Sequence, residues 1–214
     1  MNIKVSGVGT MQQLLELDRL DIDFVGLVFD KTSPQYAGKN IHADQIKAID
    51  FDIKKVGVFV NSTIDEIIET IESYRLDLVQ LNGSETPDFC RQLSEDAPII
   101  KNIFLDNYTS ENFTDTLAQY DEVCDYYSFD FSTNQKGASN SDFSRWNILE
   151  QIQIQKPFFL GGNTTRPSDA RFLNNFRHPD YFGVELNRHF EKTPGIKDMA
   201  LVLTFVQAIR QVNN

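Results

Sequence analysis

The sequence predicts a single (β/α)8 barrel over residues 1–214, because eight short runs rich in β-branched and aromatic residues alternate with eight amphipathic segments. The predicted strands are residues 2–6, 23–29, 54–60, 77–81, 98–104, 124–130, 157–161 and 181–186. Eight units leave roughly 27 residues for each, which is short but sufficient for a parallel strand with a helical crossover. No linker, low-complexity tract or break in composition divides the chain.

The helical pattern is clearest between the third and fourth predicted strands. Ser62 or Thr63 can cap a helix there, and isoleucines recur on one face of residues 63–74. The last helix, predicted over 197–210, follows a turn at 194–198 and carries an apolar stripe of Leu201, Leu203, Val206 and Ile209. The other predicted helices are residues 11–20, 42–49, 85–93, 110–120, 144–152 and 167–176.

The main rival architecture is an open, doubly wound parallel sheet. That fold binds dinucleotides through a G-x-G-x-x-G turn after its first strand, and no such turn follows residues 2–6. The segment Ser6-Gly7-Val8-Gly9-Thr10 is only a weak phosphate-loop candidate. The barrel is therefore the leading prediction.

Composition narrows the range of functions. No stretch approaches the roughly 18 uninterrupted apolar residues of a membrane span, and the first residues lack a signal-peptide pattern, so we expect a cytoplasmic protein with no membrane partner. A net charge of -11 argues against a nucleic-acid partner and favours small molecules or proteins. The two cysteines, Cys90 and Cys124, and the three histidines match no metal-ligand spacing, so neither a metal nor a disulfide is expected.

In a barrel the active site lies where strands end and the following loops begin. Gly161-Gly162 would expose backbone N–H groups to an anion there, although the same pair is equally consistent with a tight turn. Asp130 ends an apolar strand, where a carboxyl group can be tuned for proton transfer, but such an Asp is also often a helix cap or a loop brace. Asn61 and Asn82 are loop residues that permit either interpretation.

Five segments together resemble the phosphoribosylanthranilate isomerase family of tryptophan biosynthesis. They occur in the family's order and span nearly the whole chain: Lys4-Val5-Ser6-Gly7, Gly26-Leu27-Val28-Phe29 with Ser33-Pro34, Val56-Gly57-Val58-Phe59-Val60-Asn61, Val79-Gln80-Leu81-Asn82-Gly83-Ser84-Glu85 and Pro194-Gly195-Ile196-Lys197-Asp198. The resemblance implies a (β/α)8 barrel, in agreement with the count of strands and helices.

The resemblance also implies an activity that needs no cofactor. In this family an Amadori rearrangement converts N-(5-phosphoribosyl)anthranilate to a 1-deoxyribulose 5-phosphate, so the implied partner is a phosphosugar substrate. A general acid opens the furanose ring, and a general base removes the proton from the second carbon of the sugar. By resemblance the acid is Asp130. The family's base is the Cys of a K-x-C-G motif, and Ser6 occupies that position here.

Several other substrate-binding positions depart from the family pattern. Gln35 replaces an Arg directed at the substrate carboxylate, which removes a charge and a bidentate donor. Asn82 replaces the His of Q-L-H-G, and the glycine-rich sixth loop is reduced to Gly137-Ala138-Ser139-Asn140. The D-x-S-S-G of the eighth strand becomes Glu185-Leu186-Asn187-Arg188-His189, where Arg188 could bind phosphate through its side chain.

The loss of the thiol matters because a Cys is partly ionised at neutral pH, whereas a Ser hydroxyl needs a neighbouring base. Lys4 lies on the same strand face as Ser6, so the two side chains could interact. Three hypotheses remain open: a working isomerase with Ser6 and Asp130 as its catalytic pair; a degenerate paralogue that binds a phosphorylated ligand or a tryptophan-pathway enzyme without turnover; and a barrel enzyme with an altered substrate, suggested by Arg188 and His189.

Overall fold

Eight parallel strands close into a barrel in chain order, and the last strand pairs with the first. The structure is a computed structural model that describes residues 1–20, 22–105, 110–131, 146–162 and 165–211. The strands are β1 (Asn2–Ser6), β2 (Phe24–Val28), β3 (Lys54–Phe59), β4 (Leu78–Leu81), β5 (Ile99–Phe104), β6 (Tyr126–Asp130), β7 (Phe158–Gly162) and β8 (Tyr181–Leu186). The predicted (β/α)8 architecture is confirmed, with every strand within two residues of its predicted bounds.

The α-helices described between and after the strands lie outside the barrel. They are α1 (Met11–Arg19), α2 (Ala43–Lys47), α3 (Ile64–Tyr74), α4 (Pro87–Leu93), α5 (Ser110–Tyr120), α6 (Asn147–Glu150), α7 (Ala170–Asn175) and α8 (Met199–Gln211). Thr63 caps α3 by accepting from the Glu66 N–H, and the Glu66 side chain returns a bond to the Thr63 N–H. A short 3-10 turn at Pro167–Asp169 precedes α7.

The end of the chain differs from the prediction in two ways. Residues 194–198 form more than a turn, because β9 (Glu191–Thr193) and β10 (Ile196–Lys197) pair as an antiparallel hairpin. The helix after it begins at Met199, and its buried stripe consists of Val202, Phe205, Val206 and Ile209. Leu203 is 38 % exposed, so its predicted place on the stripe is wrong.

An aspartate precedes each even-numbered strand, and the first three of these aspartates fix the end of the barrel opposite the site. Asp23, Asp77 and Asp125 each accept a hydrogen bond at 2.8 Å from a backbone N–H of the preceding strand, on Ile3, Lys55 and Ile99 respectively. These carboxylates satisfy strand N–H groups that have no ladder partner at this edge. Charge at this end of a barrel serves stability rather than catalysis.

Two apolar layers enclose the strands. The larger lies between the barrel and its helices and includes Cys90 and Cys124 as free, buried thiols. Burial raises the pKa of Cys90 to about 11 and that of Cys124 to about 12, so both behave as small apolar residues, as expected. The smaller layer fills the barrel near the strand beginnings with Phe24, Val56, Leu78, Ile100 and Phe159. In the described part of the chain, no helix has the length and apolar character needed to cross a membrane.

Candidate active site

Above the inner apolar layer, the barrel interior becomes polar. Lys4 of β1 contacts the side-chain oxygen of Gln80 on β4, and Ser128 of β6 donates a 3.1 Å hydrogen bond to Glu185 Oε2 on β8. These strands are not neighbours, so the contacts cross the interior of the barrel. Lys4 Nζ also lies 3.1 Å from Glu185 Oε2 and 5.9 Å from the centre of the Phe159 ring. A buried ion pair therefore rests on the apolar layer.

The electrostatics of this pair follow from its burial. Burial by itself would raise the pKa of the Glu185 carboxyl group, but the charge of Lys4 and hydrogen bonding from Lys4 and Ser128, with the nearby Ser6 hydroxyl, outweigh it and hold the pKa below its ordinary value. Burial lowers the pKa of Lys4 in spite of Glu185. Glu185 is therefore ionised at neutral pH.

Asp130 is the last residue of β6 and is 3 % exposed. Its Oδ1 accepts a hydrogen bond from the Phe131 N–H at 2.8 Å, which leaves the side chain directed over Gly162 of β7. A Cβ at Gly162 would lie 3.0 Å from Asp130 Oδ2 and 3.6 Å from Glu185 Cδ. Two carboxyl groups from β6 and β8 thus share the space over one glycine.

The last two residues of β7, Gly161 and Gly162, have φ values of +107° and +99°. Side chains disfavour this backbone conformation, so both positions require glycine. A Cβ at Gly161 would lie 1.6 Å from Thr165 Oγ1, so the chain after β7 packs directly against the strand. The glycine pair belongs to the strand itself and forms the wall of the opening.

Ser6 ends β1 beside Glu185 and is 2 % exposed. Its hydroxyl contributes to lowering the Glu185 pKa, yet Oγ meets the geometry of a hydrogen bond with none of the described residues. A Cβ on Gly26 of β2 would lie 2.3 Å from Ser6 Oγ, so the hydroxyl occupies the space that a side chain at position 26 would need. The predicted shared face of Lys4 and Ser6 is correct, but the partner of Lys4 is Glu185.

Gln35 belongs to a second buried network at the rim. Its Nε2 donates to Asn187 Oδ1 and to Glu191 Oε1, both at 2.7 Å. Lys197 Nζ bonds the same Glu191 oxygen at 2.8 Å, and Asn187 Oδ1 at 3.1 Å. Burial lowers the pKa of Lys197 to about 8, against the opposing effect of Glu191. The Gln35 amide therefore ties the loop after β2 to the loop after β8.

The remaining predicted site residues lie on the surrounding loops. Asn82 follows β4 and accepts a 2.9 Å hydrogen bond from Gln80 Nε2, which connects it to the Lys4–Glu185 pair. Arg188 is exposed at the start of a 3-10 turn after β8. Burial, and then the positive charges of Arg166 and Arg188, lower the pKa of His189 against the opposing effect of Asp169, so His189 is neutral at neutral pH. Arg166 and Arg188 form a cationic rim between the β7 and β8 loops.

The sequence predicted the residues at the strand ends but not the side chains that bond or surround them. The unpredicted side chains are Arg166, Glu191 and Ser128. The role of Lys197 was also not predicted, although Lys197 lies in one of the segments that resemble the family. The four residues Gly137-Ala138-Ser139-Asn140 of the predicted sixth loop lie outside the described residues. Among the described residues, no group of three or more His, Cys, Asp or Glu side chains is placed to hold a metal ion.

A closed (β/α)8 barrel with two buried carboxyl groups at the carboxyl ends of its strands, beside a cationic rim, defines a barrel enzyme of the type that moves protons on an anionic substrate. Comparison with known proteins makes this specific. The sequence model of the N-(5'-phosphoribosyl)anthranilate isomerase family matches residues 3–208. The chain belongs to this family.

Individual relatives agree over nearly the whole chain. The N-(5'-phosphoribosyl)anthranilate isomerase of Parabacteroides distasonis is 35 % identical over 210 residues, covering 98 % of this chain and 93 % of the relative. That of Phocaeicola vulgatus is 30 % identical, covering 99 % and 98 %. Among solved structures, the phosphoribosyl anthranilate isomerase of Thermotoga maritima superposes with a TM-score of 0.82 at 24 % identity, covering 99 % of both chains.

Proposed function

We propose that this chain catalyses the isomerisation of N-(5'-phosphoribosyl)anthranilate to 1-(2-carboxyphenylamino)-1-deoxyribulose 5-phosphate, a step of tryptophan biosynthesis. The proposal rests on family membership across residues 3–208 and, within the site, on one observation: Asp130 is buried at the end of β6 opposite a second carboxyl group. We further propose that the whole chain acts as one domain in the cytoplasm.

Asp130 is proposed as the general acid. It protonates the ring oxygen of the sugar while the C1–O bond breaks and the nitrogen lone pair forms a Schiff base. Its enclosed position excludes competing water, and its Oδ1 bond to the Phe131 N–H fixes the carboxyl orientation. Ser6 lines the reacting centre in the position where the family carries its base.

The substrate's two anionic groups are assigned to opposite parts of the rim. The phosphate is proposed to lie between the β7 and β8 loops, where Gly161 and Gly162 keep side chains away and Arg188 supplies charge together with Arg166. Asn82, Gln35 and Asn187 line the remaining rim and orient the sugar and the aromatic ring. The carboxylate of the substrate meets an amide at Gln35 rather than a cation, so we expect weaker binding there.

That same amide supports a second candidate function. Gln35 Nε2 already donates to Asn187 and Glu191, so it offers the substrate carboxylate little. A protein that binds a phosphorylated ligand, or an enzyme of the same pathway, without turnover would retain the cationic rim and tolerate Ser6. This candidate predicts phosphosugar binding in the absence of product.

Turnover of purified protein distinguishes the two candidates. Phosphoribosylanthranilate is generated in situ, and its fluorescence loss is followed with the wild type, Asp130→Asn and Asp125→Asn. We expect Asp130→Asn to lower kcat by about 10²–10⁴-fold, the usual contribution of a general acid. Asp125→Asn is the matched control, because Asp125 lies on the chain just before the same strand at the opposite barrel end. Wild-type turnover no faster than Asp130→Asn would refute the isomerase and favour the second candidate.

A further inference from the structure

The proposed reaction needs a base beside the second carbon of the sugar, and position 6 does not provide one. A Ser hydroxyl is not ionised near neutral pH and acts as a base only after another group has taken its proton. Activating Ser6 in this way would require a stronger base within reach. The side chain that lies near the Ser6 hydroxyl is Glu185, which is itself an ionised carboxylate.

The hydrogen bonds of Glu185 leave one of its oxygens available. Lys4 Nζ at 3.1 Å, Ser128 Oγ at 3.1 Å and Gln80 Nε2 at 3.5 Å all approach Oε2. Oε1 accepts no hydrogen bond of ordinary geometry from the described residues, and 5 % of the Glu185 side chain remains exposed. Three donors therefore hold the carboxylate through Oε2, and Oε1 is the oxygen left for a substrate.

The position of Glu185 matches the geometry that the reaction requires. Its Cδ and the Asp130 Oδ2 both lie within 4 Å of the point where a Gly162 side chain would begin, 3.6 and 3.0 Å away. A sugar over Gly162 would therefore meet one carboxyl group at its ring oxygen and the other at its second carbon. Glu also extends about 1.5 Å further than the Asp that the family pattern has at this position, by one methylene.

We propose that the Glu185 carboxylate is the catalytic base of this enzyme and takes the proton from the second carbon of the sugar through Oε1. This inference rests on the isomerase function proposed above. Ser6 then acts as a small, uncharged neighbour that leaves room for the substrate, and its unpaired hydroxyl is available to a sugar hydroxyl.

The step balances without any additional reactant. Once Asp130 has opened the ring, the first carbon is a protonated imine. Glu185 Oε1 forms a bond to the proton as the C2–H bond breaks. The electron pair of that bond becomes the C1–C2 double bond, and the C=N π pair returns to nitrogen. The product is the enol form of the deoxyribulose phosphate. Glu185 afterwards releases its proton to solvent and Asp130 takes one up from solvent, so no proton is gained or lost overall.

The Lys4–Glu185 pair adjusts the base to this task. Because the charge of Lys4 holds the pKa of Glu185 below its ordinary value within a buried site, the carboxylate is available as a base at neutral pH. The positive charge on the substrate's imine nitrogen compensates for the modest basicity, since it acidifies the adjacent C–H bond.

The test compares Glu185→Gln with Asp77→Asn in the full chain. Asp77 pairs with Lys55 Nζ at 3.1 Å at the end of the barrel opposite the site, so the control also loses a paired carboxylate. We expect Glu185→Gln to lower kcat by about 10²–10⁴-fold with KM changed less than about threefold. Asp77→Asn should lose stability but keep kcat within about threefold of the wild type, because charge at that end of a barrel serves stability rather than catalysis. A Glu185→Gln enzyme within tenfold of wild-type kcat overturns the proposal.

Two further variants keep the test decisive if Glu185→Gln does not fold. Glu185→Asp keeps a negative charge beside Lys4 but moves the carboxylate oxygen away from the second carbon of the sugar, so its kcat should fall at least tenfold. A kcat equal to that of the wild type would contradict the role of Glu185 as the base. Glu185→Ala should regain rate as formate is added, which a merely structural loss would not. Absence of turnover in the wild type itself refutes the isomerase function, whereas an active wild type with an equally active Glu185→Gln refutes only the assignment of the base.

Discussion

The Lys101–Glu85 pair holds the loops after β3 and β4 in place, and its removal gives a stability prediction. Glu85 Oε2 accepts from Lys101 Nζ at 2.8 Å, and Oε1 accepts from the backbone N–H groups of Asn61 at 2.8 Å and Gly83 at 3.2 Å. Both charged side chains are almost fully buried, with 4 % and 2 % of their surfaces exposed. Glu85→Gln would preserve the two backbone bonds but leave the Lys101 ammonium without its carboxylate.

Breaking a buried ion pair from one side costs about 3–5 kcal/mol, because the remaining charge stays desolvated. Lys101 keeps two carbonyl acceptors, Gly83 at 2.9 Å and Leu81 at 3.4 Å, so we expect the lower end, about 3 kcal/mol. For a chain of this size each kcal/mol lowers Tm by about 2–4 °C, which gives a decrease of about 6–12 °C.

Urea unfolding followed by circular dichroism measures this loss. The double variant Glu85→Gln with Lys101→Met is the control, since it removes the unpaired charge while keeping the acceptor for Asn61 and Gly83. It should recover at least half of the lost stability. A single variant that loses less than about 1 kcal/mol would contradict the buried-pair description, and so would a double variant less stable than the single one.

Other predictions concern the site. Gly162→Ala should cost about 1–3 kcal/mol in unfolding free energy and reduce kcat, because φ is +99° and the new Cβ would lie 3.0 Å from Asp130 Oδ2; a kinetically normal enzyme would contradict this geometry. Burial lowers the pKa of Lys197 to about 8 from its ordinary 10.5, so between these pH values the unfolded chain binds more protons than the folded one. The unfolding free energy of the wild type should therefore rise relative to Lys197→Met from pH 8 to 10.5, by up to about 3 kcal/mol; a difference independent of pH would refute it.

The strands were predictable because each has a recognisable pattern within its own few residues. Runs such as Val56-Gly57-Val58-Phe59 combine apolar and β-branched residues between polar ends, and a parallel barrel buries both faces of every strand. The ends of the strands followed from these runs, and the structure confirms that Ser6 and Asp130 are the last residues of their strands. The helix stripe of α8 was harder because apolar residues cover most of its surface, and the choice between Val202 and Leu203 depends on which side meets the barrel.

Contacts across the barrel could not be derived from the sequence. The Lys4–Glu185 pair depends on the register of β1 against β8, which aligns Lys4 with Glu185, and Ser128 reaches the same carboxylate from β6. Gln35 gives no local sign that its amide meets Asn187 and Glu191, since those residues lie more than 150 positions away. Long-range pairing therefore determines which strand-end residues are free to react and which are already bonded.

The most direct test of the central claim, that this barrel isomerises the phosphosugar despite Ser6 at the base position, is proton NMR of the reaction in D2O. The wild type is mixed with phosphoribosylanthranilate generated in situ, and the sugar protons are followed over time. We predict that the C2 proton is lost to solvent as deoxyribulose phosphate signals appear, with both changes slowed about 10²–10⁴-fold in Asp130→Asn. Unchanged C2 signals in the presence of folded wild-type protein would contradict the isomerase assignment.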